Sequence, residues 1–180
     1  MMNYSTCFRS VLLPLIFIGL SGAAYSAQEE WVKPQQLIVD KSLPQAQLAA
    51  NEAAARKYAT FWNTGTPSLA REALAVNFID KTPPEGRKQG PEGAILASRA
   101  FRTAVPDLRC DVEQMVISGN RVVSHLRFHG TFTGTFGELK GKGQKIDFIA
   151  TDIYEINDGK IVANWHIEDN LTLMKQLGAL

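Results

Sequence analysis

Two aspartates interrupt apolar runs in the C-terminal third of the chain. From Ile161 the residues alternate, which predicts a strand with Ile161, Ala163, Trp165, Ile167 and Asp169 on one face. Val162, Asn164, His166 and Glu168 take the other face. The first set is the apolar one and reads as the pocket side, with Asp169 at its end. One strand earlier Phe148, Ala150, Asp152, Tyr154 and Ile156 share a face, and Asp152 is the one charge among them. A carboxylate in apolar surroundings loses hydration, so its pKa rises toward the range where it can give and take protons near neutrality. Asn157-Asp158-Gly159-Lys160 reads as a tight hairpin, because Asp-Gly tolerates the positive φ of a primed turn. The hairpin makes the two strands neighbours, so Asp169 and Asp152 could serve one acid/base site. Each has a plainer alternative: Asp169 precedes a helix and could cap it, and Asp152 could pair with a buried base.

The other reactive side chains read as surface or core. His125 and His129 fall on the polar face of their strand, and His166 is opposite in parity to Asp169. The three form no metal-ligand pattern, so surface or subunit-contact roles are expected and no metal. Nothing resembles a nucleophile elbow or a phosphate loop, and no cofactor is expected. Gly137, Gly141 and Gly143 lie between strands with no helix after them to receive an anion. Cys110 alternates with Leu108 and Val112 and reads as a small buried hydrophobe. Tyr58, Trp62, Phe132, Phe148 and Trp165 are core aromatics that would also wall any pocket, and Phe78 joins them as a substrate-binding candidate.

These residues need elements to hold them. Residues 28–43 show no sustained period and read as an extended lead-in. A helix is predicted over 45–63, rich in alanine, with Leu48, Ala55, Tyr58 and Trp62 on one face. Thr66 can cap a shorter helix with Pro67 at its first position. Residues 77–80 read as a short strand and 81–90 as a loop. A third helix runs over 91–104 with Ile95, Leu96 and Phe101 inward, stopped by Pro106. From Leu108 the period becomes two. Strands follow over 108–117, 121–133 (Val122, Leu126, Phe128 and Phe132 on one face), 146–156 and 160–169, and a short helix closes the chain. Helices followed by an antiparallel meander indicate an α+β domain. Its cone-shaped curved sheet must wrap the N-terminal helices and enclose a pocket.

Composition bounds the partners. The chain has 180 residues, 45% hydrophobic and 21% charged, with 19 bases against 18 acids. Such neutrality argues against a nucleic-acid face and against electrostatic membrane attachment. Residues 1–27 read as a secretory signal peptide: Arg9, an apolar run from Val11 to Leu20, then Ser21, Gly22, Ala23 and Ala24. The run is shorter than the ~20 residues a bilayer requires, so no stable membrane insertion is expected after cleavage near Ala24–Ala27. Arg9 is one of the 19 bases and no acid precedes Glu29, so removal leaves 18 bases against 18 acids. It also removes Cys7, leaving Cys110 alone. A periplasmic or secreted domain over 44–180 is thereby expected, without an internal disulfide.

Several short motifs in order carry a family resemblance. Gly90-Pro-Glu-Gly93, Val105-Pro-Asp-Leu-Arg109, Gly130-Thr-Phe-Thr-Gly134, Asp158-Gly-Lys-Ile161 with Trp165 and Asp169, and Gln176-Leu-Gly178 resemble the SnoaL-like polyketide cyclase or ester cyclase family. That family lies in the nuclear transport factor 2-like superfamily of cone-shaped α+β domains. The resemblance implies a deep pocket for a small hydrophobic molecule, a homodimer, and an acid at the end of the last strand working in an intramolecular aldol closure. By that match Asp169 takes the role. Lys81 and Phe132 stand where the family has histidines. Holding a carbonyl oxygen then falls to Lys81, Tyr58 or protonated Asp152. A binding protein without chemistry, or a dimeric interaction module, are the alternatives.

Overall fold

The computed structural model describes residues 30–180. The signal-peptide reading lies outside these residues, and so does the start of the lead-in. In chain order the elements are β1 (Gln36–Val39), α1 (Gln45–Thr64), α2 (Pro67–Ala73), β2 (Leu74–Asp80), α3 (Pro91–Ala104), β3 (Arg109–Ser118), β4 (Arg121–Phe132), β5 (Thr135–Phe136), β6 (Leu139–Lys140), β7 (Gln144–Asn157), β8 (Lys160–Glu168) and α4 (Asn170–Leu177).

The local chemistry explains the boundaries. Gly65 takes the left-handed conformation that ends α1, and Pro67 opens α2 after Thr66. Pro91 begins α3. Asp158, with φ 49°, and Gly159 make the tight turn between β7 and β8.

The sheet is curved and open, in the order β1-β3-β4-β7-β8-β2. Its centre, β3-β4-β7-β8, is the antiparallel meander expected from the sequence. The two edges differ from that expectation. β1 forms inside the supposed lead-in and runs parallel to β3, and β2 runs parallel to β8. Helices α1 and α2 carry the chain from one edge, β1, to the other, β2, and α3 leads from β2 into β3, so neither parallel pair is joined by a direct turn.

Two bulges set which side chains face inward. In β3 the register shifts at Glu113, so that Cys110 and Val112 face the core before it and Met115 and Ile117 after it. In β8 Ile161 pairs with Ile156 and Ala163 with Glu155, leaving Val162 as the extra residue. The core packs between the concave sheet face and the helices, with Tyr58, Phe61, Leu69, Ile95, Leu126, Phe132 and Tyr154 buried in it. Leu96 was expected inward on α3 but is exposed, because the helix turns Ile95 and Phe101 to the sheet instead.

Candidate active site

A cavity of about 470 Å³ opens between the concave face and α1, α3 and α4. That volume is within the range of small-molecule sites. One wall is aromatic. Phe128 and Phe148 stack with centroids 5.4 Å apart, and Trp62 meets Phe128 edge-on at 6.0 Å. Phe101 of α3 stands edge-on to Phe148 at 6.0 Å and to Phe136 at 6.1 Å. Phe136 belongs to the small β5-β6 hairpin. Its Gly134 lies so close to α3 that any Cβ there would collide with the Thr103 carbonyl, and this contact sets the hairpin beside the cavity.

The opposite end is polar and is built by β7 and β8. With the bulge at Val162, Asp152 pairs directly with His166. The amide of His166 donates away from β7, toward Thr82, so Asp152 and His166 form the kind of cross-strand pair whose side chains lie closest. Asp152 Oδ1 is 2.8 Å from His166 Nδ1 and accepts from Asn164 Nδ2 at 2.7 Å. The hydroxyl of Tyr154 donates to Asp152 Oδ2 at 2.8 Å. Three donors thus surround a carboxylate that is only 2% exposed, which is how a buried charge is tolerated. On the other side of the imidazole, Nε2 is 3.5 Å from Glu168 Oε2. Burial pushes the His166 pKa down, but the hydrogen bonds to Asp152 and Glu168 outweigh it and raise it to about 10. His166 is therefore an imidazolium at neutral pH.

The cavity lining also includes Tyr58, Asp80, Arg87, Thr135 and Asn170. Tyr58 is 4% exposed, and burial beside the Asp152 charge drives its phenol pKa up, so its O–H stays protonated. Asp80, at the end of β2, accepts from the Thr82 amide at 3.0 Å and lies 3.4 Å from Arg87.

The residues singled out from the sequence divide cleanly. Asp152, Tyr58, Trp62 and Phe148 meet in the cavity. Asp169 does not line it. Its carboxylate caps α4, accepting from the Thr172 amide at 3.0 Å, and that bond holds its pKa below the usual carboxylate range. Trp165 is on the convex face, with Lys81 Nζ 5.9 Å and Arg121 Cζ 5.2 Å from its ring. Lys81 is thereby outside the cavity as well. Phe132 and Phe78 are buried core residues that do not reach the cavity surface. The common cause for Trp165 and Asp169 is the extra residue at Val162, which turns the face of Asn164, His166 and Glu168 inward. The sequence signal for His166 was the polar alternation Asn164-x-His166-x-Glu168 itself, opposite the inward face carrying Asp152 once the register moves by one.

Comparisons with known proteins come to the same region of the chain. Residues 52–177 match the family model described as SnoaL-like polyketide cyclase. A crystal structure of a candidate polyketide cyclase from Bacillus cereus ATCC 10987 is similar at 39% identity and TM-score 0.77, covering 84% of this chain and 96% of that one. TsrD from Streptomyces laurentii is similar at 26% identity and TM-score 0.67, covering 77% and 99%. A candidate SnoaL-like polyketide cyclase from Jannaschia sp. CCS1, at 21% identity and TM-score 0.64, covers 73% and 94% and shares the fold. No curated protein matches the sequence.

Proposed function

Because the chain belongs to the SnoaL-like polyketide cyclase family, we propose that it is an acid/base catalyst of the cyclase or isomerase type, acting on a small hydrophobic carbonyl compound. The observation that carries this reading is the His166 imidazolium held between Asp152 and Glu168 at the polar end of an aromatic cavity. In an aldol closure or an enolisation, a base removes the proton α to a carbonyl and an acid supports the oxygen that gains charge. Here Glu168 is the base. His166 Nε2–H and the Tyr58 O–H are the donors to the oxygen. The proton taken by Glu168 can return through His166, which leaves all three groups as they began. Asp152 holds the ring's orientation and keeps the proton on Nδ1 when Nε2 gives up its own, and we assign no catalytic role to Asp169.

Incubation of the protein with β-tetralone in heavy water, followed by NMR, tests the reading. Exchange of the α protons well above the buffer rate is expected, and its loss in His166→Asn. Tight binding of β-tetralone with exchange no faster than buffer would sink the catalytic reading and leave a ligand-binding protein, which the aromatic wall equally suits.

The same proposal has the protein exported through residues 1–27 and working as a homodimer in the periplasm or outside the cell. N-terminal sequencing of the mature protein from the exported fraction, and its mass in solution, test those two points.

A further inference from the structure

We infer that Thr82 is a positioning residue for His166, completing by its side chain the strand ladder that fixes the acid group in place. This rests on the acid/base reading of His166 given above.

The ladder between β2 and β8 reaches Asn164, where Asp80 pairs with it and the Lys81 amide donates to the Asn164 carbonyl at 2.8 Å. Continuing β2 would next bond His166. The chain cannot continue that way, because Pro83 and Pro84 follow and lack amide protons. The Thr82 hydroxyl makes both missing bonds. It accepts from the His166 amide at 2.8 Å and donates to the His166 carbonyl at 2.9 Å. Both peptide groups of His166 that point away from β7 are thus held by one side chain.

Thr82 is itself held. Its amide donates to Asp80 Oδ1 at 3.0 Å. The Asp80 backbone is gripped at both ends by the Gln89 side chain, whose Oε1 accepts from the Asp80 amide at 2.7 Å and whose Nε2 donates to its carbonyl at 3.0 Å. A chain of contacts therefore runs from Gln89 through Asp80 and Thr82 to His166. A catalytic geometry is sensitive to displacements of an ångström or less, and a site is only as exact as the shell that supports it. The ionisable groups around the imidazole are Asp152 and Tyr154 from β7, Glu168 from β8, Tyr58 from α1, and Asp80 with Arg87 from β2 and its loop. None of these is altered by removing the Thr82 hydroxyl, so any change in His166 reports its placement.

The test compares Thr82→Val, which keeps the shape, with Thr82→Ser, which keeps the hydroxyl. Two readouts apply: a histidine side-chain NMR titration, and β-tetralone exchange kinetics. In Thr82→Val, His166 should titrate below the wild type, and kcat should fall about tenfold with KM nearly unchanged. Thr82→Ser should restore both. Wild-type titration and kcat in Thr82→Val would overturn the inference, and so would a Thr82→Ser variant as impaired as Thr82→Val. If the wild type fails to exchange β-tetralone, the catalytic reading fails. The titration still decides the positioning role by itself.

Discussion

Asp152 Oδ1 lies 2.8 Å from His166 Nδ1, and the two residues are direct partners across the β7-β8 ladder. The carboxylate is the imidazole's main ally against burial. Asp152→Asn should therefore lower the His166 pKa toward the ordinary histidine range and cut exchange about 10- to 100-fold at neutral pH. NMR titration and rate measurement on the same sample check both. An unmoved His166 pKa would show that Asp152 does not hold it.

Stability should carry the same signature. A group whose folded pKa is raised stabilises the fold fully below its unfolded pKa, about 6.5 for histidine, and loses that contribution as pH rises through the folded value. For His166 the folded value is about 10. The stability difference between wild type and His166→Asn should thus be greatest below about pH 6.5 and shrink toward pH 10. Urea unfolding across that range measures it. A difference that grows with pH would contradict the assigned charge state.

Tyr58 offers a donor that can be removed without removing its ring. Tyr58→Phe keeps the edge-on contact with Tyr154 at 5.8 Å and should leave the unfolding midpoint close to wild type. Exchange should fall about 100-fold if the O–H supports the developing oxyanion, most of it in kcat. A variant with normal kcat would remove Tyr58 from the reaction.

Asp169→Ala should behave as the loss of a helix cap. About 1 kcal/mol of stability should go, with exchange close to wild type once folding is complete. Asp169→Asn should recover much of the stability. A large fall in rate at unchanged stability would return Asp169 to the chemistry.

Much of the architecture was legible because it rests on local signals. Gly65, Pro67, Pro91 and the Asp158-Gly159 turn mark their boundaries by backbone chemistry alone. Alternation placed Phe148, Asp152 and Tyr154 inward, as they are. The polar end of the cavity was legible only in part. Counting from the Asp158-Gly159 turn in unbroken register sets Trp165 opposite Asp152, and one extra residue at Val162 replaces it with His166. A bulge has no compositional mark of its own, since it answers to twist and packing across three strands. β1 was missed for a related reason: four residues pairing with a distant strand leave no period to detect.

The bulge at Val162 also bears on how relatives of this chain should be compared. Strand β8 carries two alternative surfaces, one of Asn164, His166 and Glu168, the other of Trp165 and Ile167, and a single inserted or deleted residue chooses between them. An alignment anchored on the Asp158-Gly159 turn will set Trp165 against the cavity-facing position of any homologue without the bulge. Anchoring it instead on the α4 cap at Asp169 keeps His166 matched to its counterpart. A gap of one residue between those anchors then reports whether the bulge is present, and with it which of the two surfaces meets the cavity.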